Sequence, residues 1–348
     1  MIRLRDWPVR VVLFAAVFLS LYCSRDGGEE AAGGGEKSQE SLVLYCGRSQ
    51  SLVDDIVAMY EESAGVDVRI KYGNTAELAL AIQEEGAKSP ADVFWAQDAG
   101  ALGALSRKGM LQTLPPVVIT RVPGMFRNTS HHWVATSGRM RVFAYSPDRV
   151  SLDDMPFSVF ELAEEKWGGR VGWAPANASF QSFVTAMRVM HGEERTENWL
   201  RAMMAGGAKT YSKNTAIIEG IYAGEIDLGL PNHYYLLRFK AEDENFPVEQ
   251  SSFDAGDVGN LVNIAGVGVL TSSTNAKGAQ QFIEFLLSDE MQTYLVENTH
   301  EYPVIPVLHD HDGLLMYEAL EELAPPIELA DLEDLDGTLA LLRKVGLL

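Results

Sequence analysis

The sequence predicts an α/β protein built from two domains, and three observations carry that prediction. Its 348 residues are enough for about two separate cores. Apolar segments near the start alternate between strand-like and helix-like spacing. Later, Trp133–Tyr145 reads as a crossover into a second α/β unit and Leu261–Leu270 as the strand that returns from it.

Element by element, the run Leu42–Cys46 is short, apolar and strand-like. A helix follows from about Leu52, with Leu52, Ile56, Met59 and Tyr60 on one face and Gly65 as its stop. Val66–Tyr72 is a strand. Asn74, with Glu77 three residues on, is a capping-box start for the next helix. Ala91–Trp95 is a buried strand and a helix runs on through Leu105. This alternation implies a parallel sheet covered by helices, whose ligands bind at the carboxyl ends of the strands. The loops Gly47-Arg48-Ser49 and Ala96-Gln97-Asp98 fall there. In the second unit, Met140–Tyr145, Val171–Trp173 and Asp227–Leu230 read as strands, with helices from Phe180 and around Trp199. The remainder is helical, and Pro325-Pro326 splits two amphipathic stretches between Leu314 and Leu348.

The first residues read as an export signal. Arg3, Arg5 and Arg10 precede the twelve-residue uncharged run Val11–Tyr22, too short for a comfortable membrane span. Cys23 ends that run. Residues 24–40 hold no aromatic or branched aliphatic side chain and suit a flexible tether. With Cys23 set aside, Cys46 has no partner for a disulfide and sits in an apolar run as a buried thiol.

A formal net charge of −21 argues against nucleic-acid binding and against docking on anionic lipid, and is compatible with a cationic ligand. Catalytic signatures are absent: the chain has no G-x-S-x-G, H-E-x-x-H or C-x-x-C. A binding protein is therefore expected rather than an enzyme. Gly206-Gly207-Ala208-Lys209-Thr210 completes no phosphate loop and reads as a turn after a helix. His131-His132 and His309-Asp310-His311-Asp312 carry metal-ligand residue types but sit in polar, loop-like sequence, as surface clusters do.

The string Pro231-Asn232-His233-Tyr234-Tyr235 is the most informative. Chance alone gives about 0.4 adjacent pairs for 12 tyrosines in 348 residues, so the pair needs its context. With Asn232 as helix cap, Tyr234 and Tyr235 fall in the first turn, about 100° apart around the axis, where both can reach one ion. On a strand they would point to opposite faces. Phenolate oxygens are hard anionic donors and select hard cations such as iron(III), which must displace both phenolic protons. Pro175-Ala176-Asn177-Ala178-Ser179 precedes a helix, and Ser212-Lys213-Asn214-Thr215 opens another. Free N–H groups at such starts suit an anion, although simple capping explains each segment alone.

Together these strings resemble the bacterial periplasmic ferric-iron-binding proteins, substrate-binding subunits of iron(III) ABC transporters. The resemblance runs from about Leu42 to the C-terminus. It is carried by Leu44-Tyr45-Cys46-Gly47-Arg48-Ser49, Ser89-Pro90-Ala91-Asp92-Val93-Phe94, Trp133-Val134-Ala135 with Ser137-Gly138-Arg139, and Asn232-His233-Tyr234-Tyr235. Leu261-Val262-Asn263, Gly266-Val267-Gly268-Val269-Leu270 and Glu301-Tyr302-Pro303 complete it. It implies a two-lobed type II binding-protein fold, each lobe a mixed sheet flanked by helices with a hinge between, akin to a transferrin lobe. The expected division is a signal peptide at 1–23, a linker at 24–40, a first lobe at 41–136 and 262–348, and a second lobe at 137–261.

The resemblance further implies iron(III) as ligand on Tyr234 and Tyr235, with a synergistic anion, carbonate or phosphate, at Asn177, Ala178 and Ser179 and with Asn214 and Asn232 nearby. Partners would be the permease and ATPase subunits of the transporter, and the protein would act as a monomer. Cys23 resembles a lipoprotein lipidation site, with Tyr22 departing from the small residue normal there; the place of action would be periplasmic or the outer face of a membrane. The first lobe departs from the family. Ser49 stands where some members place a His ligand and Gln97 where they place Glu, while Phe180 stands where others add a third Tyr. Anions and water could fill the remaining positions, or Asp98 could substitute. Otherwise the chain takes a different ligand, such as an organic phosphate or phosphonate, as relatives of this fold do.

Overall fold

A computed structural model describes residues 41–305 and 313–348. The expected signal, linker and Cys23, and the His309–Asp312 cluster, lie outside the described residues. The chain opens with β1 (Ser41–Cys46), α1 (Gln50–Ala64), β2 (Asp67–Tyr72), α2 (Thr75–Glu85), β3 (Val93–Ala96), α3 (Ala99–Arg107) and the single turn α4 (Pro116–Ile119). Local chemistry sets the boundaries. Gly65 ends α1 in the left-handed region at φ 66°, where a side chain would be strained. The Asn74 side chain accepts from the Ala76 N–H and starts α2. β4 (Val134–Met140) then closes the first part.

The second part holds β5 (Phe143–Tyr145), β6 (Val171–Trp173), α5 (Ala178–His191), α6 (Glu193–Ala205), β7 (Lys209–Thr210), α7 (Asn214–Tyr222), β8 (Leu228–Gly229), α8 (His233–Glu242) and β9 (Glu249–Ser251). The chain returns through β10 (Val262–Val269) and ends with α9 (Ala276–Leu286), α10 (Asp289–Thr299), α11 (Tyr317–Leu323) and α12 (Leu335–Val345).

Two mixed sheets result. The first has the order β2-β1-β3-β10-β4, with β1 parallel to β2 and β3, and β10 antiparallel to β3 and β4. The second has the order β7-β6-β8-β5-β9, with β6 parallel to β7 and β8, and β5 antiparallel to β8 and β9. Each sheet has its own core: Leu44, Trp95, Ile264 and Phe282 in one, Trp173, Phe180, Phe183 and Trp199 in the other. Burial on both faces explains why β3 is wholly apolar and β10 is apolar apart from Asn263.

Two expectations need correction. Met140–Tyr145 is not one strand: β4 ends in the first sheet at Met140 and β5 begins in the second at Phe143. Between them, the Arg141 and Val142 N–H groups donate to the carbonyls of Leu261 and Pro231. The run looked continuous because both ends are buried, each in a different core. The lobe boundary therefore falls at Arg141–Val142, not after Thr136. The C-terminal residues also do not all join the first lobe. Leu341, Leu342 and Val345 of α12 are buried in the second core, against α5 and α6. Helical periodicity gives α12 an apolar face without saying which core receives it.

The segment between α11 and α12 passes from one lobe to the other. Its short 3-10 turn, Leu329–Glu333, packs on α3 of the first lobe and α5 of the second, and Leu329 touches both cores. Gly100 and Gly103 make room on α3: a Cβ there would come within 2.6 Å of the Leu332 carbonyl oxygen and 2.8 Å of that of Ala330.

Candidate metal-binding site

Tyr234 and Tyr235 lie in the first turn of α8, as the sequence predicts. Asn232 is the N-cap by backbone angle (φ −89°, ψ 153°), but its side chain makes no capping bond. Its amide nitrogen is buried without a partner, so the side chain is free for another use. The two phenol rings lie 4.3 Å apart between centroids, with planes 34° apart. One turn on, the exposed Arg238 places its guanidinium 4.9 Å from the Tyr234 ring and 5.7 Å from that of Tyr235. Burial, then the neighbouring Tyr235 and the Glu301 carboxylate, raise the Tyr234 phenol above its ordinary range. A metal bound there has to displace that proton.

His233 stands edge-on to the Tyr234 ring, 5.7 Å between centroids, and fixes α8 to the first lobe. Its Nδ1 accepts from the Met140 N–H at 3.2 Å and its Nε2–H donates to the His300 carbonyl at 2.9 Å. The ring lies against Tyr302, 4.3 Å between centroids. Full burial holds the imidazole neutral, pushing its pKa down to about 4.

The expected anion loop is a connected network. Asn177 caps α5, its Oδ1 accepting from the Ser179 N–H at 2.9 Å and the Ser179 hydroxyl at 2.7 Å. Asn214, first residue of α7, donates from Nδ2 to Asn177 Oδ1 at 3.4 Å and Ser179 Oγ at 3.3 Å. Its own Oδ1 is buried and unpartnered. Ala178 is exposed at the start of α5.

Arg141 extends this network and interacts electrostatically with Tyr234 and Tyr235. Its Nη2 donates to Ser179 Oγ at 3.2 Å and its Nη1 to the Leu230 carbonyl at 2.6 Å. The guanidinium lies over Phe183 at 5.0 Å and Phe180 at 5.6 Å. Phe180, expected only as the place of a missing ligand, thus forms part of the apolar seat of this cation. Arg141 is 1% exposed. Burial pulls its pKa down to about 9, opposed by Tyr234 and Tyr235, so it stays charged at neutral pH. No carboxylate is among its hydrogen-bond partners, an expensive arrangement unless an anion arrives.

Across from the tyrosines, a cavity of about 350 Å³ is lined by Arg48, Ser49, Gln97, Tyr234, Arg238 and Glu301, among others. Ser49 and Gln97 therefore face the cavity that Tyr234 faces. Asp98 does not line this cavity. Its Oδ1 caps α3, accepting from the N–H groups of Gly100 (3.0 Å) and Ala101 (3.4 Å). The residue borders a separate cavity together with Ala178. One carboxylate oxygen of Asp98 is thus engaged as a helix cap, away from the cavity that Tyr234 lines. Glu301 is buried and bound by Arg48 through Nη2 (3.0 Å) and Nη1 (3.3 Å), and by the Ser137 hydroxyl. Burial alone would raise its pKa, yet Arg48, Arg139 and the Ser137 bond hold it below the usual glutamate value.

Sequence reasoning missed Arg141, Arg139, Arg48 and Glu301 as functional groups. A usable signal was present: Arg139 and Arg141 interrupt an apolar run, where an unpaired charge is rarely buried without a purpose. Among the described residues, no group of three or more His, Cys, Asp or Glu is placed to hold a metal.

Two mixed sheets, a double crossover and a polar cleft with a phenol pair define a type II periplasmic binding protein. The model of a family described as bacterial extracellular solute-binding protein matches residues 88–322, and the chain belongs to that family. It is 32% identical over 310 residues to the major ferric iron-binding protein of Neisseria meningitidis serogroup B, covering 88% of this chain and 93% of that one. Among solved structures it is similar to iron-bound HitA from Pseudomonas aeruginosa. The TM-score is 0.79 at 32% identity, over 88% of this chain and 99% of the other. It is also similar to the Trichodesmium protein IdiA (FutA) in complex with iron and citrate ligands. There the TM-score is 0.73 at 27% identity, over 88% and 100% of the two chains.

Proposed function

We propose that this protein captures ferric iron in the cleft between its lobes and hands it to the permease and ATPase subunits of an ABC transporter. Tyr234 and Tyr235 supply two phenolates. An exogenous anion, carbonate or phosphate in the simplest case, bridges the metal to Asn177, Ala178, Ser179, Asn214 and Asn232. One observation carries the reading: two phenols 4.3 Å apart at a helix start, backed by a buried arginine that lacks a carboxylate. The cation favours the phenolate forms and the anion alike. The names of the Neisseria and Pseudomonas relatives support iron as the metal. The iron and citrate complex of the Trichodesmium protein supports an exogenous oxygen ligand beside it.

The protein works as a monomer outside the cytoplasm, held to a membrane surface by lipid on Cys23. Among the described residues no helix is long and apolar enough to cross a membrane. The lobes close on the ion about the crossovers at Arg141–Val142 and before β10.

The test is addition of ferric salt to the apo protein, with and without bicarbonate or phosphate, while recording the visible spectrum. A tyrosinate-to-iron charge-transfer band is expected, absent in the Tyr234→Phe, Tyr235→Phe double variant. Tight binding of an organic phosphate or phosphonate with no coloured ferric complex would replace this reading with that of an organic-anion carrier.

A further inference from the structure

A second cavity lies away from the metal-binding cleft, beside the segment that runs from α11 to α12. Its volume is about 180 Å³, and it shares no lining residue with the cavity that Tyr234 lines. Met125, Trp133 and Val262 of the first lobe and Pro325, Ile327 and Leu329 of the connecting segment give it an apolar lining. One cation and one carboxylate, Arg127 and Glu328, also line it, so the lining carries no net charge. Both are engaged: Arg127 Nη1 donates to the Ile119 carbonyl at 2.5 Å, and Glu328 accepts from the Thr129 hydroxyl at 3.3 Å.

The indole of Trp133 is the unexplained group. The residue is 1% exposed, and its Nε1–H is buried without a hydrogen-bond partner. Leaving such a donor unpaired is costly. The buried indoles of Trp95, Trp173 and Trp199 each place theirs on an oxygen, of Thr136, Thr210 and Val159. Trp167 also lacks a partner, but Lys166 and Arg170 lie over its ring. Trp133 instead borders a cavity of ligand size.

We infer that this cavity is a ligand site for one small uncharged aromatic molecule, a single ring carrying an acceptor oxygen for the Trp133 N–H. An apolar cavity of about 150 Å³ holds a benzene ring, so the volume here suits a ring with one small polar group. The apolar lining suits the ring, and the balanced charge gives an ion nothing to offset its desolvation. The site is independent of the ferric reading. Ala324 packs on the first core, Ile327 on the second and Leu329 on both, so an occupant touches the segment that joins the lobes. It favours the placement of that segment described here over any other.

The experiment titrates benzamide, toluene and benzoate into the full chain, with binding followed by saturation-transfer NMR of the probe and by tryptophan fluorescence. Benzamide is expected to bind saturably and about tenfold or more tightly than toluene, which lacks the acceptor. Benzoate should bind more weakly than benzamide. Gly124 lines the cavity, and a Cβ there meets nothing within 4 Å, so Gly124→Leu can fill the space without moving the backbone. That variant should lose benzamide and toluene alike. Trp133→Phe should keep toluene and lose the advantage of benzamide; if it does not fold, Gly124→Leu still decides. No saturable binding of benzamide, or equal binding in Gly124→Leu, overturns the site. Benzoate binding more tightly than benzamide, or a benzamide preference that survives Trp133→Phe, overturns the ligand class. Each of these outcomes leaves the ferric reading standing.

Discussion

The two walls of the cleft solve different problems. The second-lobe wall presents oxygen donors for a metal: two phenols on α8, with Asn177, Ser179 and Asn214 at helix starts behind them. The first-lobe wall presents neutral Ser49 and Gln97, and a buried ion pair between Arg48 and Glu301. One wall supplies phenol and amide oxygens, and the other a buried, internally paired charge. On the reading proposed above, such a site would hold the metal from one side and need an exogenous ligand to engage the other.

Removing the carboxylate from the first-lobe wall should have the largest effect. Glu301→Gln leaves Arg48 and Arg139 buried without an anion, and a loss of about 3–5 kcal/mol in urea unfolding is expected. A change under about 1 kcal/mol would mean that solvent reaches the pair and the wall is not a charged one.

The next effect separates the hinge from the walls. His233 takes up a proton near pH 6.5 when unfolded but only near 4 when folded. Between those values the unfolded state binds more protons, so stability falls as pH falls through that window, by about 3 kcal/mol in all. Urea titrations of the apo protein at pH 7 and pH 4.5 measure this. His233→Gln should flatten the dependence.

On the second-lobe wall, Tyr235→Phe should lower ferric affinity by more than about a hundredfold, beyond the range lost with an outer-shell partner. On the proposed reading, both phenols of the unaltered protein would release protons on ligation. Affinity should therefore fall with pH, by up to about a hundredfold per unit. A pH-independent ferric affinity would contradict phenolate ligation.

The smallest expected effect would make the walls alike. Gln97→Glu adds a hard anionic oxygen to the first-lobe side. It should tighten ferric binding about tenfold and reduce the need for added anion. No change in either quantity would place Gln97 out of reach of the metal.

Much of this was legible from residues alone. Asn74 and Gly65 mark their helix ends by local chemistry, and Asn232, Tyr234 and Tyr235 fall on a helix start that five consecutive residues announce. What was not legible depends on distant pairing. Arg48 and Glu301 are 253 positions apart, and neither shows in sequence that it will meet the other. Arg141 stands in a run that reads as one strand, so its place between two sheets, with Ser179 as partner, is visible only once the chain is folded. Asp98 is ambiguous for the opposite reason. A carboxylate at the end of a strand suits a ligand and a helix cap equally, and the free N–H groups of Gly100 and Ala101 were the nearer claim.

The segment Leu329–Glu333 gives the trap a restraint on its travel. Two chain crossings define an axis about which two bodies can swing, and the passage from α11 to α12 adds a third attachment. Because α3 meets its backbone at Gly100 and Gly103, and α5 packs on its other side, any rotation that widens the gap between those helices has to peel the segment from one of them. The mouth of the cleft is a door on a chain, and the chain is drawn from the last forty residues of the polypeptide.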